Sequence, residues 1–363
     1  MSAEPLLWIN ARFLGRPVTG VERVAREILE VIAHDYVDHE GLLHIDGRRW
    51  RPRLIAPRSV RCDSPWPNLP LVRIGPGNGH MWEQTTLALC TAGDWLLNLC
   101  NTGPVFKRRQ ISFLHDAQPF AIPENFSFAF RAWYRWLYRL QSRNAYRIAV
   151  NSRFTAGELA RHIGLDPGKT VLCPLGVDHA EGILDELSEE RHASLPEGPF
   201  LLVVSSSSPN KNIGGVMAAL AELGEKAPPC VMVGQLDQRH FASVSLNPEL
   251  IHHLGYVSDA VLKKLYRHAS GLVFPSYYEG FGLPPLEAMA HGCPVIVSNC
   301  SAMPEVCGDA AIYCDPSRPA SIANAIAGLL QEERPERRRT AVQQHARRYS
   351  WSHAASNLIN TLP

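Results

Sequence analysis

Two glutamates and a glycine-rich turn lie close together near residue 280, in an order that suits a phosphorylated ligand. An apolar run ends at Phe274, Glu279 follows, and Gly280–Leu283 leads into a predicted helix that opens with Pro284-Pro285 and carries Glu287. Glycines let backbone amides approach a ligand closely. Proline fits the first helical turn, where its missing N–H is not needed, and a helix N-terminus attracts phosphate.

The spacing of the two carboxylates predicts what lies on either side of that phosphate. Glu279 and Glu287 are eight positions apart, one in the loop and one predicted for the first helical turn, so both can face one pocket. A carboxylate accepts hydrogen bonds from hydroxyl groups, and two of them can hold two polyols joined by a diphosphate. This is the chemistry of a nucleotide-sugar. The alternative is an ordinary strand-loop-helix unit with two exposed glutamates.

The elements that must position these residues are parallel strands with crossover helices. Short β-rich runs alternate with helical patterns from Leu6 to Cys314, and this alternation predicts an α/β fold. A polar, acid-rich stretch from about Ala180 to Gly198 is predicted to link two doubly wound, Rossmann-like domains that face each other across a cleft. Ligands of such sheets bind at the carboxyl ends of the strands.

Length and composition limit the class of protein. A chain of 363 residues favours two domains, and a formal net charge of +1 argues against a nucleic-acid binder. Neither a secretory signal nor an apolar stretch of the ~20 residues that a membrane helix needs is found. Nine cysteines, an odd number, argue against a disulfide framework and make the cytoplasm the expected compartment.

The segment around residue 280 resembles the signature of the retaining GT-B glycosyltransferases of family 4. Their pattern is a Glu, seven residues and a second Glu, with Gly-Phe-Gly-Leu just after the first. Every position is present here: Glu279, Gly280, Phe281, Gly282, Leu283 and Glu287. The resemblance implies a GT-B fold with an acceptor-binding domain over residues 1–180, a nucleotide-sugar-binding domain over 199–345, and a helix over 346–363 that crosses back to the first domain.

Within the second domain, the resemblance implies a loop that contacts the donor diphosphate. Lys211 matches one member of the family's basic pair, whereas Asn210 and serines stand where an arginine is common. A lysine can hold a phosphate alone, and Ser206 with the serines after it can assist. Tyr256 and Val257 match the element whose backbone receives the nucleotide base, although a plain strand end explains them equally well.

Three further residues of the first domain are implied to belong to the site. Gly20 begins a predicted helix where family members place a glycine against the donor diphosphate, with a plain turn as the alternative. His115 follows a strand and matches the family's histidine near the donor sugar. Asp116 is implied to orient that ring or to contact the acceptor.

The implied reaction transfers a hexosyl group, with its anomeric configuration retained, to a saccharide or polyprenyl-linked saccharide in surface polysaccharide synthesis. Glu279 is implied to hold donor-sugar hydroxyls and Glu287 ribose hydroxyls. The sequences TGVERVARE and Trp82-Glu83-Gln84 resemble bacterial polysaccharide mannosyltransferases, so the donor is expected to be a nucleotide-diphosphate sugar such as GDP-mannose. No cofactor is expected and, without an Asp-x-Asp motif, no metal ion. Catalytic roles fall to His115, Asp116 and Glu279.

Other classes of protein remain open at this point. A non-hydrolysing sugar-nucleotide epimerase has the same architecture, and a catalytically silent nucleotide-sugar-binding subunit would keep the same pocket. A dinucleotide-dependent oxidoreductase needs a G-x-G-x-x-G turn after an early strand, which Gly15–Gly20 does not supply.

A basic, aromatic segment in the first half predicts a second kind of partner. Five arginines recur every fourth residue with aromatic residues between the first of them, namely Arg131, Arg135, Arg139, Arg143 and Arg147. Steps of four drift by only ~40° around a helix, so these side chains form one slowly turning stripe. Such a helix can rest on an anionic membrane surface, which would place the protein at the inner face of the cell membrane. A buried aromatic face with solvated arginines is the alternative.

Overall fold

The computed structural model of the protein describes residues 4–181, 196, 198–206, 208–235 and 250–363. Most of the predicted linker therefore lies outside the described residues. The chain divides into two compact units, one of Met1–Gly176 with Ser350–Pro363 and the other of Val177–Tyr349. The C-terminal segment thus belongs to the same unit as the N-terminal half.

The first unit is built on one largely parallel sheet. Its strands are β1 (Leu6–Asn10), β2 (Leu43–Ile45), β3 (Arg48–Pro57), β4 (Leu71–Ile74), β5 (Trp95–Asn98), β6 (Gln110–Leu114), β7 (Arg147–Val150) and β8 (Thr170–Leu172). Their order is β2-β3-β1-β5-β6-β7-β8, with β4 paired to β3. The chain winds from β1 out to β3 and β4, then returns to β5 on the other side of β1. This reversal between β1 and β5 is the switch point of a doubly wound sheet.

The antiparallel pair of β2 and β3 departs from the predicted alternation of parallel strands and helices. Ile45 lies opposite Arg48, so the turn between the strands is Asp46-Gly47, with φ of 46° and 75°. Positive φ at both turn residues matches the natural twist of a hairpin. β3 therefore begins as a hairpin strand and ends as a parallel strand beside β1 and β4.

The second unit contains a six-stranded parallel sheet within the described residues. Its strands are β9 (Leu201–Ser205), β10 (Cys230–Gly234), β11 (Ile251–Gly255), β12 (Gly271–Phe274), β13 (Val295–Ser298) and β14 (Ile312–Cys314). The order is β11-β10-β9-β12-β13-β14, the arrangement of a dinucleotide-type Rossmann sheet with its switch point between β9 and β12. The loops that follow β9 and β12 therefore meet at the edge where ligands bind.

Helices connect these strands, and several begin at polar caps that the sequence supplies. Ser152 and Ser258 accept hydrogen bonds from the backbone of their helices, and Gly164 ends one helix at φ 66°, as such caps do. None of the described helices is long and apolar enough to cross a membrane. The α-helices are α1 (Gly20–Val31), α2 (Gly79–Trp82), α3 (Ala88–Cys90), α4 (Gln118–Ala121), α5 (Phe128–Asn144), α6 (Arg153–Ile163), α7 (Ile213–Leu223), α8 (Asp259–His268), α9 (Leu283–Ala290), α10 (Met303–Cys307), α11 (Pro319–Leu330), α12 (Pro335–Ala346) and α13 (Trp351–Ile359).

Candidate functional site

Lys211 and Glu279 meet at the switch point of the second unit. Lys211 ends a short 3-10 helix after β9, and Glu279 lies in the loop after β12. The Lys211 Nζ lies 2.6 Å from Glu279 Oε1 and 4.9 Å from the centroid of the Phe274 ring. Glu279 is buried. The fold thus joins two residues that the sequence separates widely, one cationic and one anionic.

Two asparagines that hold these loops in place were not recognised from the sequence. Asn210 is buried, accepts a backbone hydrogen bond from Tyr277 and donates its amide to the Tyr278 carbonyl. Asn212 caps α7 in a left-handed conformation with φ 57°, and its amide donates to the carbonyls of Pro275 and Pro316. Asn210 therefore anchors Lys211 beside the β12 loop instead of simply replacing an arginine.

The turn before α9 offers fewer backbone N–H groups to a phosphate than the sequence motif suggests. Gly282 has φ 103°, a conformation that L side chains rarely adopt, and an added Cβ would also lie 2.3 Å from Met303 Cε, so the backbone conformation favours glycine there. Pro284 and Pro285 occupy the first turn of α9 and carry no N–H. Leu283 supplies the only N–H among the first three helical residues, and the helix dipole adds partial positive charge. Gly280 and the buried Phe281 precede this turn.

Glu287 is the fifth residue of α9, because the helix begins at Leu283, so it lies one residue beyond the predicted first turn. The helix begins one residue before the predicted start at Pro284, because Gly282 acts as its N-cap. Both carboxylate oxygens of Glu287 have partners: His179 Nε2 at 3.1 Å and Tyr266 Oη at 3.2 Å. The protein therefore positions this side chain firmly.

The residues implied to surround the phosphates and base follow strands at the same sheet edge and are exposed or half-buried. Tyr256 follows β11 and is 82% exposed, and Val257 is half-buried. Ser206 follows β9 and is exposed, whereas Ser207 lies outside the described residues. Among the described residues, no hydrogen bond joins Ser206 or Tyr256 to the Lys211–Glu279 pair.

In the first unit, Gly20 is the first residue of α1 and Thr19 its N-cap. A Cβ added at Gly20 would meet no atom within 4 Å, and the residue does not have a positive φ. Neither packing nor backbone conformation requires glycine here. A ligand that approaches the helix N-terminus is a physical reason for its presence.

His115 is buried at the carboxyl end of β6, stacked on Phe113. Its Nε2 lies 2.8 Å from the Leu99 carbonyl, so Nε2 must carry the proton and Nδ1 is an acceptor in the neutral ring. Burial lowers the pKa of His115 to about 4, although the Leu99 carbonyl partly opposes this. Asp116 accepts a hydrogen bond from the Gln118 amide at 2.9 Å.

A buried ion pair in the first unit was also missed. The Arg12 Nε lies 3.0 Å from Glu83 Oε1, and Asn10 and Thr102 donate to the same oxygen. Burial by itself would raise the pKa of Glu83, but the hydrogen bond from His80 and the charge of Arg12 outweigh it and hold the pKa below its usual value. Glu83 belongs to the Trp82-Glu83-Gln84 segment, which resembles bacterial polysaccharide mannosyltransferases in sequence.

Four arginines of the predicted stripe lie in α5, whereas Arg147 begins β7, so the stripe does not extend that far along one helix. Arg131 and Arg135 are half-buried, and Arg139 is exposed. The guanidinium groups of Arg135 and Arg139 lie over the Phe120 ring, at 5.6 and 5.7 Å from its centroid. Arg131 lies over Phe128 at 5.8 Å, and Arg143 is exposed. Large apolar side chains of the helix are also exposed, Phe128 by 77% and Trp136 by 41%. The helix therefore has features of both predicted alternatives. Tyr138 is buried, as expected for an aromatic face in the core, whereas the exposed Phe128 and Trp136 suit a membrane surface.

Solved structures define the class of protein to which this fold belongs. HepE of Anabaena, determined in complex with UDP and glucose, superposes with a TM-score of 0.72 over 99% of both chains at 16% identity. WaaG, a glycosyltransferase involved in lipopolysaccharide biosynthesis, superposes with a TM-score of 0.66 over 97% of both chains at 18% identity. The fold is GT-B, and the predicted fold class is confirmed.

Comparison with protein families shows which family the chain belongs to. Residues 18–181 match Glycosyltransferase Family 4, and residues 185–348 match Glycosyl transferases group 1. The protein belongs to this glycosyltransferase family, which confirms the resemblance drawn from the sequence.

Curated relatives include several mannosyltransferases. O-antigen chain mannosyltransferase B of Escherichia coli is 35% identical over 175 residues, which cover 44% of this chain and 45% of the relative. O-antigen chain mannosyltransferase RfbU of Salmonella typhimurium is 28% identical over 236 residues, 64% of this chain and 63% of the relative. The chain thus spans 45% to 63% of the length of these two relatives.

Proposed function

We propose that this protein is a retaining glycosyltransferase that moves a mannosyl unit from GDP-mannose to a saccharide or polyprenyl-linked saccharide during surface polysaccharide synthesis. The observation that carries the proposal is the Lys211–Glu279 pair at the switch point of the second unit. The O-antigen mannosyltransferases among the relatives support mannose as the sugar. They also favour transfer over the epimerase alternative.

Lys211 and Glu279 can bind different parts of the donor. An ammonium carries three N–H groups, of which one is directed at Glu279, so the others can donate to the diphosphate. Glu279 can accept hydrogen bonds from sugar hydroxyls. Glu287 can accept them from ribose hydroxyls if its hydrogen bonds to His179 and Tyr266 break or are shared with the ribose. Tyr256 and Val257 lie at the same sheet edge and can border the base.

The proposed reaction needs a group that stabilises the departing diphosphate. The bond from the anomeric carbon to the phosphate oxygen breaks while the acceptor oxygen attacks from the same face, and the acceptor proton passes to the leaving phosphate. Lys211, the Leu283 amide and the α9 dipole can stabilise the charge, each preorganised donor by about 3 kcal/mol. We propose on this basis that the transfer is independent of a metal ion. His115, neutral because of its burial, acts by accepting a hydrogen bond from a substrate hydroxyl at Nδ1.

The Lys211→Ala variant tests the donor assignment. We expect its Kd for GDP and for GDP-mannose, measured by isothermal titration calorimetry, to rise about 10- to 100-fold, since hydrogen bonds to charged groups contribute roughly 1.5–3 kcal/mol. Lys226→Ala is the matched control, because Lys226 is exposed in the same unit. Equal affinities of the two variants for both nucleotides would contradict the assignment.

We further propose that the protein attaches peripherally to the inner face of the membrane through α5. Its exposed Phe128 and Trp136 can enter the interface while the arginine stripe contacts anionic lipid. The Asn144 side chain donates to the Val105 carbonyl at 2.9 Å, which ties the end of α5 to a turn with the exposed Phe106 and Arg108.

A further inference from the structure

We propose that the first unit carries a binding site of its own, for a phosphoryl group of the acceptor, in a small cavity at the carboxyl ends of strands β1, β3 and β4. The cavity has a volume of about 220 Å³, and its lining includes Arg12, Arg16, Ser59 and Asn78. This inference rests on the proposed function, which supplies the acceptor.

The topology of the first unit brings these side chains together. Arg12 and Arg16 follow β1, Ser59 follows β3, and Asn78 follows β4. The three strands are neighbours and parallel, so their carboxyl ends meet at one edge of the sheet. Thr102, which follows β5 on the other side of the switch point, accepts a hydrogen bond from Arg12 at 3.1 Å. Doubly wound sheets bind their ligands at the carboxyl ends of the strands.

The charges around the cavity favour an anion. Arg12 is only 7% exposed and gives two of its five N–H groups to Glu83 and Thr102, which fixes the guanidinium and leaves N–H groups for a ligand. Glu83 is almost fully buried behind Arg12, and no carboxylate is among the described residues that line the cavity. Arg16 is 40% exposed and lies 3.7 Å from Glu22, a long ion pair. Two guanidinium groups can bind one phosphoryl group through paired hydrogen bonds.

The size of the cavity and the loop behind it indicate which ligand fits. Pockets for drug-sized ligands measure roughly 300–1,000 Å³, so this cavity suits a phosphoryl or diphosphate group and not a nucleotide. The loop after β5 also holds His115: the Leu99 carbonyl accepts from its ring and Asn101 from its amide. One short loop therefore supports both Arg12 and His115. The ligand is a phosphoryl-bearing acceptor, either a lipid-linked diphosphate or a free sugar phosphate.

The test uses the full chain with its nucleotide site saturated by GDP. Inorganic pyrophosphate is titrated calorimetrically into the wild type, Arg16→Gln, Asn78→Asp and a control, Arg61→Gln, which is exposed in the same unit. Arg16→Gln removes a charged donor and is expected to raise the Kd for pyrophosphate at least about 10-fold. Asn78→Asp keeps the oxygen that accepts from the Gly79 amide but adds a negative charge to the lining, so it also weakens binding. Arg61→Gln changes the Kd less than about two-fold.

Three outcomes separate the inference from its alternatives. If pyrophosphate does not bind the GDP-saturated wild type, or if Arg16→Gln and Arg61→Gln behave alike, the inference is overturned. Failure of GDP itself to bind contradicts the proposed function instead, and pyrophosphate titrated without GDP then still tests the cavity. Tighter binding of farnesyl diphosphate than of mannose 1-phosphate supports a lipid-linked acceptor, and the reverse order supports a soluble sugar phosphate.

Discussion

At the scale of single residues, glycine occurs at positions 20 and 282 for different physical reasons. Gly282 combines a left-handed φ of 103° with contact against Met303. Gly20 has open space around its missing Cβ and no positive φ. The sequence motif suggested a ligand contact for both, but only Gly20 lacks a structural reason to be glycine.

Alanine at these two positions should therefore give opposite results. We expect Gly282→Ala to lower the free energy of unfolding by about 1–3 kcal/mol, the typical cost of strained backbone. Gly20→Ala should leave stability unchanged or raise it by up to about 1 kcal/mol while weakening GDP-mannose binding. Urea unfolding and calorimetry measure the two quantities. Wild-type donor affinity of Gly20→Ala would exclude a contact between Gly20 and the diphosphate.

His115 gives the protein a stability that depends on pH. Its pKa is about 4 when folded, against 6.5 for an unperturbed histidine. The unfolded chain therefore binds the extra proton first, and stability falls as the pH drops from about 6.5 towards 4. At pH 5 the loss relative to pH 7.5 is about 2 kcal/mol. His115→Asn should lack this part of the decline in urea unfolding; an unchanged pH dependence would show that the ring is not held neutral by the fold.

At the scale of elements, the sequence predicted what depends on local pattern. Alternating β-rich and helical runs are local, so the parallel sheets and most strand positions followed from them. β2 does not stand out in the sequence because it has only three residues, although Asp46-Gly47 is a hairpin signal. The role of Asn210 could not be predicted, since it depends on the β9 and β12 loops meeting at the switch point. The buried Arg12–Glu83 pair likewise joins residues from different strand ends.

The exposed end of α5 provides the test of membrane attachment. A double variant, Arg108→Gln with Arg143→Gln, removes two exposed charges without disturbing the arginines stacked on Phe120. Since each basic residue near an anionic surface contributes about 1 kcal/mol, co-sedimentation with phosphatidylglycerol-containing vesicles should weaken about 30-fold at low salt. Arg161→Gln, on the surface of α6, is the control. No sedimentation of the wild type at low salt would contradict the proposal.

At the scale of the whole molecule, each unit has the same kind of sheet edge and a different charge arrangement there. The second unit presents Lys211 beside Glu279, which suits a diphosphate with a sugar attached. The first presents Arg12 and Arg16 with their carboxylate partners outside the cavity lining, which suits a phosphoryl group alone. The same topology can therefore serve a donor in one unit and an acceptor in the other.

The most direct test of the donor assignment is a crystal structure of the protein grown with GDP-mannose. We expect a diphosphate oxygen within about 3 Å of the Lys211 Nζ and a mannose hydroxyl within the same distance of a Glu279 carboxylate oxygen. The ribose hydroxyls should lie against Glu287. A nucleotide-sugar bound at another edge of either sheet, away from Lys211 and Glu279, would contradict the central claim.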